Sequence, residues 1–364
     1  MTYDEALNFI LNKQSLGIKP GLERIFALLS DMDNPQDKLK IIHIAGTNGK
    51  GTVAATIASA LSDNGYKVGL FTSPWVNDYR EQISINGEYI EKVKFASYVE
   101  KYSDNDCTEF ELLTGIMYKY FFDCSVDFAV IECGMGGSGD STNVEKENIS
   151  VITSVSMDHT AFLGNTLDEI AYQKSGIIRE NCPCILYPNS KCEKIFEAKT
   201  NKLIKVKEQG SFDKNNLATV NAVLKLLGLK SVKNTVKLPA RQEMIGSVLL
   251  DGAHNVDGAK ALASSLKTKN LTAVIGMMRD KDIDGYLCVV APFCERIITV
   301  TPDNPRSVDA RELKKIAEKY CNDVICAESV EKGIELAKKY DSFHLVCGSF
   351  YLARQARNLL LQAL

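Results

Sequence analysis

The amino-acid sequence predicts an α/β chain folded as two domains. Three observations carry this. From residue 40 onward, short apolar stretches alternate with helical ones, the pattern of a doubly wound sheet. The first stretch runs directly into a glycine-rich loop, HIAGTNGKGT at 43–52, of the kind that grips phosphate at the amino end of a helix. After residue 245 the alternation starts again, and 364 residues exceed what a single core usually organises.

Taken in order, KIIHIAG reads as a buried strand. TVAATIASALSDNG follows as a helix with Val53, Ile57, Ala58 and Leu61 on its apolar side and Gly65 as its stop. YKVGLFT is the next strand. ISINGEYI places Asn86-Gly87 between two alternating runs, a hairpin signal. VDFAVIEC and NISVITSVS are nearly continuously apolar, as strands covered on both faces are. In NTLDEIAYQK, Thr166 and Glu169 have capping-box spacing, so a helix starts near Leu167. NTVKLPARQEMI contains no convincing element and is read as the junction. The boundaries are an N-terminal domain over 1–236, a linker over 237–246 and a C-terminal α/β domain over 247–364. Strands of the latter are GSVLLDGA, TAVIGMM, ERIITVTP, DVICA and SFHLVCGS.

Composition narrows the function. Hydrophobic residues make up 45% and charged residues 24%, ordinary for a soluble globular enzyme. A net charge of −3 supplies no basic field for nucleic acid. The start, MTYDEALNFILNKQ, has acids early and no apolar core, unlike a signal peptide, and no run approaches the ~18 apolar residues of a membrane span. Eleven scattered cysteines, without a CxxC pair or clustered histidines, read as reduced thiols of a cytoplasmic protein rather than a zinc site.

The loop departs from the common P-loop, G-x-x-x-x-G-K-[ST]. Ile44 stands where the first glycine belongs, and Gly51 where a metal-binding hydroxyl belongs. Gly46, Gly49 and Gly51 still allow the tight turn, and Lys50 supplies a compact positive charge. The missing hydroxyl directs attention to the ends of neighbouring strands, where open α/β sheets bind ligands. Ser73 ends one strand, Glu132 another, and Asp158-His159 a third. Oxygen and nitrogen donors there, completed by substrate phosphates, suit magnesium. Asp251, His254 and Asn255 follow the first strand of the second domain, Arg241 lies in the junction, and Lys174 near a helix end.

HIAGTNGKGT, FTSP, IECGMGG with DSTNV, MDHTAFLGNTLDEIAYQKSGII, LDGAHN and CGSFYL occur in this order. Together they resemble the folylpolyglutamate synthase/dihydrofolate synthase family of the Mur ligase superfamily, from about residue 15 to the C-terminus. The resemblance implies a P-loop ATP-binding domain of the Mur-ligase central type followed by a smaller Rossmann-like domain. It implies an ATP-dependent ligase that adds L-glutamate to a folate or to dihydropteroate, forming ADP and phosphate. Gly46, Thr47, Asn48, Gly49, Lys50, Gly51 and Thr52 would bind ATP with Asn216, Arg241 and Asp251. Ser73, Glu132 and His159 would bind magnesium, and Lys174 would be a carbamylated lysine supporting a second magnesium. Lys50, Lys174, His159 and His254 would be catalytic. Gly21, Leu22, Thr108, Phe110, Glu111, Asp140 and Ser141 would meet the pterin-bearing acid, and His254 and Ser349 the glutamate. The chain would act as a monomer on small molecules, without nucleic acid or membrane. Trp75, Ser138-Gly139, Ala240 and Phe212-Asp213 depart from the family pattern, mostly near the acid and glutamate sides. A ligase of the same mechanism with another acid or amino acid is therefore the alternative.

Overall fold

The computed structural model describes residues 1–17, 19–189, 191–340 and 344–362. The chain forms two compact units: Met1–Ser156 with Leu163–Val236, and Met157–Phe162 with Lys237–Leu364.

The first unit is built on β1 (Ile41–Ala45), β2 (Val68–Phe71), β3 (Ile83–Ile85), β4 (Glu88–Tyr89), β5 (Phe128–Glu132), β6 (Ile149–Ile152), β7 (Cys184–Leu186) and β8 (Leu203–Lys205). They form one sheet in the order β4-β3-β2-β5-β1-β6-β7-β8, with β3 and β4 antiparallel at one edge and the rest parallel. β1 is central and buried throughout, as its apolar run requires. The chain leaves β1 towards β2 on one side and leaves β6 towards β7 on the other. The carboxyl ends of β1 and β6 therefore flank a topological switch point, where such sheets bind ligands. Asn86 and Gly87 both take positive φ, 49° and 85°, and turn β3 into β4 as the dipeptide requires. The helix Leu167–Ser175 opens on the Thr166–Glu169 capping box.

The second unit holds β9 (Glu243–Ile245), β10 (Val248–Leu250), β11 (Leu271–Ile275), β12 (Cys294–Thr299), β13 (Val324–Cys326) and β14 (His344–Cys347), in the order β13-β12-β11-β14-β10-β9. The carboxyl ends of β10, β14 and β11 are thus neighbours. The junction read as structureless contains β9, antiparallel to β10 across the Gly246 turn. A three-residue edge strand buries too little to leave an alternating pattern in the sequence. In the last expected strand, Ser342 and Phe343 lie outside the described residues. No helix among the described residues is long and apolar enough to cross a membrane.

Candidate active site

β1 delivers the loop, and its glycines are dictated by space as well as by φ. A Cβ on Gly46 would lie 1.8 Å from Thr153 Oγ1, and one on Gly49 would lie 2.7 Å from Asn216 Oδ1. Gly49, at φ 86°, caps the helix Lys50–Asp63. Backbone groups at the start of the loop are already used: the Thr47 amide donates to the Ser154 carbonyl at 2.6 Å, and the Asn48 amide to Ser154 Oγ at 3.3 Å. The Thr47 hydroxyl donates to the Ser156 carbonyl. These bonds fasten the loop to the segment after β6. The first-turn amides at Lys50, Gly51 and Thr52 have no carbonyl within the helix to bond, which together with the helix dipole favours an anion. Asn216, on the helix Phe212–Leu226, is buried beside Gly49, and its Oδ1 has no hydrogen-bond partner. A buried orphan acceptor beside a glycine-rich loop fits the amino edge of a bound base.

Lys50 Nζ donates to the Thr47 carbonyl at 3.3 Å and lies 3.9 Å from Glu132 Oε1. Glu132, at the end of β5 and 3% exposed, accepts the Ser73 amide on its other oxygen at 3.2 Å. Lysine, carboxylate and the Ser73 segment thus meet at one sheet edge, and this hard-oxygen set suits a divalent cation held largely by substrate phosphates. Among the described residues no three histidine, cysteine, aspartate or glutamate side chains form a metal cage. His159 was expected to join Ser73 and Glu132. It lies in the second unit, at φ 51° and 3.9 Å from Asp158 Oδ2.

Lys174 is 3% exposed and donates to the Gly46 carbonyl at 2.8 Å. It therefore does more than compensate a helix dipole: it joins the phosphate loop to the helix Leu167–Ser175. The turn after Glu132 passes so close to this helix end that a Cβ on Gly137 would lie 2.7 Å from the Gln173 carbonyl. The Ser138 amide and hydroxyl both donate to that carbonyl.

The residues expected at the acid substrate divide in two. Leu22, Phe110 and also Trp75 are partly exposed on the core that contains Phe71. Phe110 lies 5.8 Å from Phe71, and a Cβ on Gly134 would meet its ring at 2.6 Å. Gly21 precedes them at φ 98°. Glu111, by contrast, is spent internally. It closes a capping box with Thr108 at the start of the helix Glu109–Asp123 and takes two bonds from Arg24, at 3.2 and 2.9 Å. Asp140 accepts from the Met135 amide, the Thr142 amide and the Thr142 hydroxyl, so both its oxygens hold the turn shut. Ser141 Oγ pairs with Thr114 Oγ1 at 3.1 Å.

In the second unit, Asp251 follows β10 and accepts the Gln242 and Ala253 amides. Burial raises its carboxyl above the usual range, opposed by Arg241. Arg241 is not a solvated linker residue: its guanidinium lies 4.1 Å from the Phe350 ring centroid, and His254 packs on the same ring at 5.8 Å. Ala240, one of the departures from the family pattern, takes φ 55°, a left-handed conformation that favours glycine. Ser349, 1% exposed, accepts the Leu352 amide and starts the last helix. Asp158 gathers Asn255 Nδ2 at 2.8 Å, Lys281 Nζ at 2.6 Å and His254 Nε2 at 3.5 Å. Despite the opposing effect of burial, His254 and Lys281 hold this carboxyl far below its usual range. Lys281 was missed from sequence. It follows β11 in GMMRDKD, and the strand-end rule that found Asp251 would have found it too.

Residues 44–263 match the Mur ligase middle domain, and residues 240–350 the Mur ligase glutamate ligase domain. The chain is 29% identical to a dihydrofolate synthase/folylpolyglutamate synthase of Bacillus subtilis, over 98% of this chain and 99% of that one. It is 30% identical to a probable dihydrofolate synthetase of Schizosaccharomyces pombe, over 92% and 97%. Among solved structures, E. coli FolC in complex with DHPP and ADP superposes with a TM-score of 0.89 at 27% identity, covering 100% of this chain and 98% of that one. The Yersinia pestis bifunctional folylpolyglutamate synthase/dihydrofolate synthase complexed with AMPPNP and Mn ion does so at 0.87 and 25%, covering 99% and 98%. By motif order, domain matches and fold, the chain belongs to the folylpolyglutamate synthase/dihydrofolate synthase family of Mur ligases.

Proposed function

We propose that this chain uses ATP to join L-glutamate to a folate, to 7,8-dihydropteroate, or to both, releasing ADP and phosphate. The observation that carries the reading is the meeting of Lys50, Glu132 and the Ser73 segment at the phosphate loop, with Lys50 Nζ 3.9 Å from Glu132 Oε1. The acid's carboxylate attacks the γ-phosphorus of ATP and gives an acyl phosphate. The α-amine of glutamate then attacks that carbonyl, loses a proton and expels phosphate, leaving an amide. The loop Gly46–Thr52 holds the phosphates, Lys50 lies on the transferred one, and Asn216 holds the base. Ser73, Glu132 and His159 would hold magnesium, which would supply charge neutralisation for the transferring oxygens. Lys174, carbamylated, would support a second magnesium. Arg241 and Asp251 serve ATP, and His254 with Ser349 the glutamate. Gly21, Leu22, Thr108 and Phe110 line the approach of the acid, where Glu111, Asp140 and Ser141 fix the backbone. The chain acts as a monomer in the cytoplasm.

The test is ADP release by the purified protein with ATP and magnesium, adding glutamate and either dihydropteroate or tetrahydrofolate. Release that requires both the acid and glutamate supports the reading. Turnover only with a different acid or amino acid shifts it to another Mur-type ligase. A stable phosphorylated product formed without an amino acid refutes it.

A further inference from the structure

His43 is the central residue of β1 and 0% exposed, in a strand otherwise made of isoleucine and alanine. Its Nδ1 lies 2.9 Å from Glu145 Oε1, and its Nε2 lies 2.8 Å from Thr142 Oγ1 and 3.1 Å from Cys133 Sγ. A carboxylate only accepts, so Nδ1 carries a proton. Thr142 has one hydroxyl proton, and Asp140 Oδ1 takes it at 2.6 Å. Thr142 Oγ1 therefore accepts from Nε2. Both ring nitrogens donate, and the imidazolium is fixed at both ends. Burial works against the charge, but the Cys133 sulfur and the Glu145 carboxylate outweigh it and hold His43 well above the ordinary histidine range. Glu145 is held below its own range, burial being outweighed by His43 and Arg179.

We propose that His43 is a positioning residue for the Glu132 carboxylate and the turn that follows it, acting through Thr142 and Cys133. This rests on the reading of Glu132 as a metal ligand. Cys133 directly follows Glu132, and its amide donates to the Ile44 carbonyl on β1. Thr142, held by His43 and by the Tyr118 hydroxyl on its carbonyl at 2.7 Å, orients Asp140. Asp140 in turn fixes the Met135 amide at 2.6 Å, three residues beyond Glu132. The same turn reaches the helix bearing Lys174 through Ser138 and Gln173. One buried ring thus links the strand that feeds the phosphate loop to the carboxylate and the lysine beside it. An apolar side chain would fill this site without the desolvation cost of an ion pair.

The experiment is Mn2+ binding in the presence of ADP, followed by the free-ion electron paramagnetic resonance signal, beside steady-state kinetics and Tm. Thr142→Val keeps the shape and removes the relay. It is expected to weaken Mn2+ about tenfold, as the loss of groups holding a metal ligand does. The KM for glutamate stays unchanged, and Thr142→Ser restores binding. If Thr142→Val does not fold, Thr142→Ala is read in the same way. Wild-type Mn2+ affinity in the folded variant, or a serine variant as weak as the valine one, overturns the proposal. Glu132→Gln separates the two readings. If it binds Mn2+ as tightly as wild type, the ligand assignment itself fails; if it alone is weak and Thr142→Val is not, only the role of His43 fails.

Discussion

Lys281 Nζ lies 2.6 Å from Asp158 Oδ1, while Asp158 Oδ2 takes the Asn255 side-chain amide at 2.8 Å. Both side chains are nearly buried, at 7% and 6% exposure. Asp158 anchors the segment Met157–Phe162, which carries His159, within the second unit. Asp158→Asn leaves buried Lys281 with only Asp280, at 3.8 Å, as a charge partner and is expected to lower stability by about 3 kcal/mol. The sign with pH follows from the depressed carboxyl. Its contribution is complete above 3.8, the ordinary aspartate value, and is lost as pH falls below it. Urea unfolding of both proteins should therefore show a gap that is constant near neutrality and narrows below 3.8. A gap that widens in acid would contradict this.

In the proposed reaction Lys50 would serve the transferred phosphate directly and Glu132 through the metal it would hold. Lys50→Met is expected to reduce kcat by about a thousandfold with little change in Tm, because it removes charge stabilisation made in the transition state. Glu132→Gln should instead raise the magnesium concentration needed for half-maximal rate. Steady-state rates over a magnesium series distinguish the two.

Lys174→Ala should cut turnover by about a hundredfold or more, since it removes both the tie to the Gly46 carbonyl and the proposed carbamate. Intact mass measured in bicarbonate buffer under mild conditions should show one added CO2 in wild type and none in the variant. Wild-type turnover by Lys174→Ala would remove the carbamate from the mechanism.

Glu111 separates a structural role from a substrate role. Its bonds to Arg24 and Thr108 imply that Glu111→Gln lowers stability by about 2 kcal/mol, the scale of charged hydrogen bonds. The KM for the acid should change little at a temperature where the variant is folded. A KM effect without a stability effect would return Glu111 to the substrate.

Gly49 tests the loop geometry directly. Gly49→Ala combines a positive φ of 86° with a Cβ 2.7 Å from Asn216 Oδ1. Nucleotide affinity, measured by ADP titration calorimetry, should fall steeply while Gly65→Ala, at the same φ but in open space, leaves it unchanged.

The phosphate loop, the hairpin and the strand-end candidates were legible because each is a short-range fact. A glycine needing positive φ, a strand running into a helix, and a carboxylate after an apolar run are all written within about ten residues. Fold class followed from their alternation. The edge strand Glu243–Ile245 was not legible, because three residues carry no period.

What the sequence alone determined is the chemistry on offer: a loop for phosphates, Lys50 for charge, and acids and histidines at strand ends. Tertiary structure decided which of these groups meet. Lys281 with Asp158, Arg24 with Glu111, and His43 with Glu145 are separated by 123, 87 and 102 residues. Local periodicity shows that a strand is buried but not which strand lies beside it. The order β5-β1-β6 is fixed only when the whole sheet closes its core. That order sets His43 and Cys133 in contact, and the packing of 157–162 places His159 within the second unit.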